Sequence, residues 1–322
     1  MHLFARTERD SLTSSPRRQH LPGRSTSRRS LLAGATALIP LAYAGTTSAS
    51  AYNPTENSHR LDAAQKLRDL ETRLDGRIGV HAINTGTQVR FGYRSTERFL
   101  FCSVGKVLAV SAILHRAASD STLLTRHIPI AADDILAYAP VTSQHVGGSM
   151  SVEDLCHAAI TVSDNTAANL LVEVCGGPGA VTEFVRGAGD VVTRVDRTEP
   201  TLNDADADLD TTTPSAFCTT LGNLALESVL TPEHRLRLTT WLKANTTGAD
   251  QIRAGVPDGV TVGDKTGAGS HGESNDVAVL WPTKGSPVIL SIFTVSSHTQ
   301  DTALQKEAIA EATRIVTPIV LG

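Results

Sequence analysis

Four short stretches of this 322-residue chain carry side chains that could do chemistry together. In Ser103-Val104-Gly105-Lys106 a serine and a lysine stand three residues apart, at the start of the apolar run 107–114. In a helix that spacing puts both on one face. The hydroxyl then has an amine beside it to take its proton, and a helix N-terminus nearby to favour a developing oxyanion. A chain of this length holds roughly one such pair by chance, and an N-capping serine before a surface lysine is the simpler account of the pair taken alone. Ser163-Asp164-Asn165 either caps a helix beginning at Thr166 or offers a proton-relaying hydroxyl and an amide for a substrate carbonyl. Lys265-Thr266-Gly267 is either a plain strand exit or a charge and a hydroxyl suited to a carboxylate. Its glycine would admit close approach of a substrate. Glu199 and Asn203 lie in the irregular, aspartate-rich stretch 196–210, which reads as a solvated loop or as a functional one. In the second case the two side chains could hold one water, as general base and positioner.

Regular elements must hold these stretches in place. Leu61, Ala64, Leu67, Leu70 and Leu74 mark a helix over 60–74. Alternating runs at 77–83 and 88–93 flank the turn Asn84-Thr85-Gly86-Thr87. From 103 to about 245 the pattern is mainly helical: 152–160, 166–174 (ended by Gly176-Gly177-Pro178), 180–186, 215–226 and 232–243. Strands return at 260–265, 276–281 and 288–295, and a last helix covers 302–317. Strands at both ends of a helical middle predict an α+β fold. An antiparallel sheet built from both termini would be flanked by helices, with an all-helical subdomain beside it. The α/β part would span about 52–97 and 246–322, and the helical part about 98–245.

The start of the chain reads as an export signal. Residues 1–27 are polar and basic, then Arg28-Arg29-Ser30-Leu31-Leu32 opens an apolar run to residue 44, and Ala49-Ser50-Ala51 follows. This is a secretory leader of twin-arginine type, cut after Ala51, which would carry a folded protein across the membrane. The apolar run is short for a span of about 20 residues, and no other segment is long and apolar enough. Seven of the 29 basic and two of the 33 acidic residues lie in the leader, so residues 52–322 carry 22 basic against 31 acidic, a net −9. An acidic exported protein is a poor partner for nucleic acid or an anionic membrane. The 4 cysteines include no C-x-x-C pair and the 11 histidines no ligand cluster, so no metal site is expected.

Taken in order, the four stretches resemble the class A serine β-lactamases, in their actinobacterial type, over essentially all of residues 52–322. The flanks agree as well: Phe99, Ala158-Ala159-Ile160-Thr161, Asn169-Leu170-Leu171, and Asp210-Thr211-Thr212-Thr213-Pro214 at the end of the family's omega loop. The resemblance implies that Ser103 is the acylated nucleophile and Lys106 its proton partner. It makes Glu199 with Asn203 the deacylating pair, and Ser163 the shuttle to the β-lactam nitrogen. Asn165, Lys265, Thr266, Gly267, Ala268 and Tyr138 would line the substrate cleft. Backbone N–H groups of Ser103 and Ala268 would form the oxyanion hole, Arg197 and Asp210 would pin the omega loop, and Glu199–Pro200 would be cis. No metal or organic cofactor is implied, and the expected partner is a small β-lactam bound to a monomer.

Departures from the family pattern matter as much. Many relatives put an arginine on the strand after K-T-G to pair with the substrate carboxylate; here that stretch reads Ser274-Asn275. Others supply it from the preceding loop, where this chain has Gln251, with Arg253 nearby. Carboxylate recognition would then rest on Lys265 and Thr266. Cysteines that pair in relatives lack partners here, since Val110 and Gly269 occupy the partner positions, so four free thiols are expected. Two other functions share the serine–lysine chemistry or the fold: a penicillin-binding D-alanyl-D-alanine peptidase, and a non-hydrolytic β-lactam-binding protein. The glutamate loop argues against the first, and intact Ser103, Lys106, Ser163, Glu199 and Lys265 against the second.

Overall fold

The computed structural model describes residues 54–322, so the leader assigned to residues 1–51 lies outside the described residues. Helix α1 (Pro54–Leu74) buries Ala63, Leu67, Leu70 and Leu74 and leaves Leu61 62% exposed. The covered stripe therefore starts at Ala63 rather than Leu61: both residues fit a three-four spacing with Leu67, Leu70 and Leu74 through different neighbours, and the packed core covers the Ala63 side. The hairpin β1 (Gly76–Asn84) and β2 (Arg90–Tyr93) follows. Asn84 Oδ1 accepts the N–H groups of Gly86 and Thr87, both at 3.0 Å, an Asx-type closure of the turn.

A short strand β3 (Phe99–Leu100) leads to a tight turn, Cys102–Gly105, and to helix α2 (Lys106–Ala117). Helix α2 is buried on every side from Lys106 to Leu114, as befits a helix apolar all round. The small ribbon β4 (His127–Pro129) and β5 (Ser149–Ser151) precedes α3 (Val152–Thr161), α4 (Asn165–Cys175) and α5 (Pro178–Gly187). Strand β6 (Thr211–Thr212) pairs back onto β3, then α6 (Pro214–Ala225) and α7 (Pro232–Lys243) close the helical part. Helices α5, α6 and α7 each open with proline, which loses no intrahelical bond at that position.

One turn, α8 (Ile252–Gly255), precedes the strands β7 (Thr261–Ala268), β8 (Glu273–Trp281) and β9 (Val288–Ser296), and α9 (Thr302–Leu321) completes the fold. The sheet runs β2-β1-β9-β8-β7 and is antiparallel throughout, so both ends of the described chain build it. The α+β expectation is met. Val277, Val279, Ile289 and Phe293 face the helical part, while Ala278, Leu280, Leu290 and Ile292 face α1 and α9. With both faces covered, β8 and β9 read as near-continuous apolar runs.

Four expected boundaries move. Strand β7 runs on through Gly267 to Ala268, and β8 starts at Glu273, because cross-strand pairing of Ala268 with Ser274 overrides the weak strand preference of those residues. Helix α9 continues past Thr317 and includes Pro318. Its final turn is tied down by Asn84 Nδ2, which donates to the Val320 carbonyl at 2.9 Å. Ser103 lies in the turn before the α-helix, and Lys106 is the first helical residue.

Candidate active site

That last shift has a geometric benefit. In a tight i→i+3 turn, side chains three apart eclipse each other. Lys106 Nζ donates to Ser103 Oγ at 2.6 Å, and the Ser103 hydroxyl donates to Glu199 Oε1 at 3.1 Å. The turn is anchored from two sides. Asn275 Nδ2 on β8 donates to the carbonyls of Leu100 and Phe101, at 2.9 and 3.2 Å, and Phe101 N donates to the Asp210 carbonyl at 3.2 Å. Cys102 takes a positive φ of 50° to enter it. Gly267 belongs to the same joint. A Cβ there would meet the Phe101 carbonyl at 2.8 Å and the Val104 amide at 3.0 Å. The close approach that demands glycine is thus made by the turn that carries Ser103, in addition to any substrate.

Lys106 is the hub of the site. Its amine also reaches Asn165 Oδ1 at 2.6 Å, the Ser163 carbonyl at 3.1 Å, Ser163 Oγ at 3.2 Å and Glu199 Oε1 at 3.0 Å. Burial lowers its pKa, and the Glu199 carboxylate opposes that shift. Lys265 is wholly buried and donates to Ser163 Oγ at 3.0 Å and to the Thr266 carbonyl at 2.8 Å. Burial, then repulsion from Lys106, brings its pKa down to about 7.

Ser163 accepts from both amines, so its own proton is free to point into the cleft. It holds a φ of 60° between α3 and α4. The fully buried Asp164 beside it takes bonds from Ala167 N, Thr142 Oγ1, Val141 N and Thr142 N, all within 3.0 Å. Asp164 thereby caps α4 and fastens this loop to the segment carrying Tyr138, whose carbonyl accepts Asn165 N at 2.9 Å. The Tyr138 side chain stands 51% exposed at the cleft mouth.

Glu199 is supplied by the loop 196–210. Arg197 Nε meets Asp210 Oδ2 at 2.6 Å, while Asp210 Oδ1 accepts the N–H groups of Asp196 and Arg197 at 2.8 and 3.0 Å. Asn169 on α4 clamps the Glu199 backbone, donating to its carbonyl at 2.8 Å and accepting its N–H at 2.9 Å. The Glu199–Pro200 bond is cis. Asn203 Nδ2 donates to Glu199 Oε2 at 2.8 Å, and Asn203 Oδ1 is buried with no protein partner.

Across a cleft of about 360 Å³, the other wall is β7 with the loop before α8. Thr266 Oγ1 lies 2.5 Å from Thr247 Oγ1, and Gln251 Nε2 donates to Ser274 Oγ at 3.0 Å. Ala268 is exposed at the strand end. Arg253 is turned away, held by Asp264 at 2.7 Å and by the carbonyls of Leu242 and Lys243. The structure therefore gathers Ser103, Lys106, Ser163, Asn165, Glu199, Asn203, Lys265, Thr266, Gly267, Ala268 and Tyr138 around one cleft. Thr247, Asn169 as a clamp, and Lys306 of α9 also contribute, although none belongs to a chemical motif in the sequence. Among the described residues no helix is long and apolar enough to cross a membrane, and no His/Cys/Asp/Glu group could hold a metal. All four cysteines are free.

Comparison with known proteins agrees with this architecture. Residues 62–320 match the model of the "Beta-lactamase enzyme family". Beta-lactamase OXY-2 of Klebsiella oxytoca is 44% identical over 255 residues, covering 79% of this chain and 88% of the relative. Beta-lactamase Toho-1 of Escherichia coli is 42% identical over 292 residues, covering 90% and 97%. The solved class A β-lactamase from Mycobacterium abscessus superimposes with a TM-score of 0.79 at 48% identity, covering 81% of this chain and all of that one. With its serine, two lysines and glutamate gathered in one cleft, this chain belongs to the class A serine β-lactamases.

Proposed function

We propose that the protein hydrolyses penicillin-type β-lactams through a Ser103 acyl-enzyme cleared by a Glu199-activated water, and so confers antibiotic resistance. One observation carries the hydrolytic half. Glu199 presents one carboxylate oxygen to Ser103 and the other to Asn203, whose Oδ1 is buried and unpartnered. A water giving one proton to Asn203 Oδ1 and the other to Glu199 would aim its lone pair at a carbonyl carbon on Ser103.

In the first stage Ser103 Oγ attacks the lactam carbonyl carbon, and its proton passes to the Lys106–Glu199 pair. The two groups are 3.0 Å apart, close enough to pass a proton between them. The carbonyl oxygen becomes an oxyanion against the backbone N–H groups of Ser103 and Ala268. The C–N bond then breaks. Ser163 gives its proton to the ring nitrogen and is resupplied by Lys106. Asn165 Oδ1 is engaged by Lys106, which leaves its NH2 for the substrate's side-chain amide. In the second stage Glu199 takes a proton from water, the hydroxide attacks the acyl carbon, and Ser103 departs with a proton returned through Lys106. Lys265 and Thr266 receive the substrate carboxylate, and Tyr138 borders the mouth of the cleft.

The protein acts as a monomer outside the cytoplasm after removal of a leader at Ala51. The Arg28-Arg29 pair and the apolar run behind it support twin-arginine export. The 48% identity to the Mycobacterium abscessus enzyme supports the actinobacterial type. The test is turnover of a chromogenic cephalosporin by the purified protein. Many turnovers are expected. One stoichiometric acylation would favour the peptidase-like reading, and no reaction a binding protein. Glu199→Ala should leave an acyl adduct visible by intact-mass spectrometry; unimpaired turnover in that variant would overturn the role of Glu199.

A further inference from the structure

To receive a lactam oxygen, the Ala268 N–H must point into the cleft, and the residues after it decide that. Strand β7 is an edge of the sheet, and Ala268 pairs with Ser274 of β8. Gly269 N donates to the Glu273 carbonyl at 3.0 Å. Antiparallel pairs alternate between hydrogen-bonded and non-hydrogen-bonded positions. The bond at Gly269 therefore turns the N–H before it outward, away from β8 and along the open edge. Ala268 stands exposed there, in the same cleft lining as Ser103.

The turn 269–272 closes this strand end, and Glu273 reaches it from within. Glu273 is buried, and its Oε2 accepts His271 N at 3.0 Å. It fills the space beneath Gly269: a Cβ there would collide with Glu273 Oε2 and lie 3.0 Å from its Cδ. Ser296 N on β9 ties the far end of the turn by donating to the Gly272 carbonyl at 2.9 Å. Ser270 and His271 at the tip are exposed. The Glu273 charge also reaches Cys102, whose thiol is pushed well above its ordinary range by burial, then by Glu273 and Glu199. Cys102 precedes Ser103 and Gly269 follows Ala268, so one carboxylate stands behind both oxyanion donors.

We propose that Glu273 is a positioning residue for the oxyanion hole: its carboxylate, packed under Gly269 and bonded to His271 N, fixes the turn that aims the Ala268 N–H at the lactam oxygen. This rests on the β-lactamase reading and deepens it. Glu273 is not among the described residues that line the cleft, so it acts through Ala268 rather than on substrate. Its effect falls on the step in which the carbonyl oxygen gains charge, and little on the first binding of substrate.

Steady-state kinetics on the whole protein, with a chromogenic cephalosporin, test this. Glu273→Ala should lower kcat about tenfold and leave KM within about twofold, the mark of a contact made in the transition state. The Ki of phenylboronic acid, a tetrahedral mimic of the oxyanion intermediate, should rise about as far. Glu273→Gln keeps an acceptor for His271 N and should recover most of the loss. Gly269→Ala displaces the same carboxylate from the other side. It should show the same signature alone, and add nothing when Glu273→Ala is also present. Unchanged kcat in Glu273→Ala, a loss carried by KM instead, or Glu273→Gln as slow as Glu273→Ala would overturn the inference while the parent still turns over substrate. Should Glu273→Ala fail to fold, Gly269→Ala carries the test, and parental kcat and Ki in it would overturn the inference. A parent protein that turns over nothing would remove the hydrolase reading itself, and this inference with it.

Discussion

Around Lys106, one ammonium with three protons faces five acceptors within 3.2 Å. Across the cleft, the side chains of Gln251 and Ser274 bond only each other, and Lys306 has one carboxylate at 3.6 Å. The first wall is over-determined: displacing one partner leaves the rest to hold the amine in place. It is also buried, so each of those bonds is stronger than it would be at the surface. The second wall is under-determined: its rim is built from neutral pairs and one mobile charge, with Lys265 buried behind them. Bond breaking needs reacting atoms fixed to a fraction of an ångström. Recognition of a carboxylate tolerates several arrangements of donors, so the receiving wall can change while the reacting wall stays.

The sharpest way to break this contrast is to remove the hub. Lys106→Ala should lower kcat/KM about 10³-fold or more, since it deletes the proton partner and the shared ligand of Ser103, Ser163 and Glu199. A loss under tenfold would mean that the amine is dispensable. Next comes the support behind it. Asp164→Ala leaves Ala167 N, Val141 N and Thr142 N without their acceptor in a buried place, and should cost about 3 kcal/mol in urea unfolding. A loss below about 1 kcal/mol would show that the loop is held by other means.

The pH dependence sharpens the comparison from the electrostatic side. Lys265 sits at about 7, against 10.5 for an ordinary lysine. Between those values the unfolded chain binds a proton that the folded one lacks, so folding stability contributed by this group rises from about pH 7 to 10.5. Binding of an anionic substrate runs the other way, because it wants the ammonium form. KM should therefore climb as pH passes about 7. Lys265→Arg should flatten that climb, and an identical profile in the two proteins would remove Lys265 as its origin. The smallest expected effect is on the receiving wall. Gln251→Arg should lower KM for penicillins about two- to fivefold by adding a guanidinium where the wall is neutral. An unchanged or raised KM would place the anion elsewhere.

What the sequence discloses follows the same division. Ser103, Lys106, Ser163 and Lys265 are legible because each lies in a short motif whose spacing is local. The helical stripes and the apolar strands β8 and β9 are legible by period and composition. Thr247 and Lys306 are not, because tertiary packing alone brings the loop before α8 and the base of α9 to the cleft. Gly267 is half legible. Its need for close approach can be read, but not that the approaching backbone is the turn carrying Ser103. The Leu61 misreading has a plain cause too: a leucine on a helix invites inclusion in the apolar stripe, and only the packed neighbours decide which of two adjacent stripes is covered.

The strand order β2-β1-β9-β8-β7 also sets a timetable for the chain as it is made. The hairpin β1–β2 emerges early, but its other neighbour in the sheet, β9, is roughly two hundred residues away along the chain. Late partners of this kind are the slow part of folding. The helical middle can assemble around α2 first, carrying Ser103 and Glu199, while Lys265 and Asn275 are still unmade. A truncated chain that stops before β7 would thus hold Ser103 and Glu199 with no strand opposite them, so the cleft is complete only when the last strands are in place.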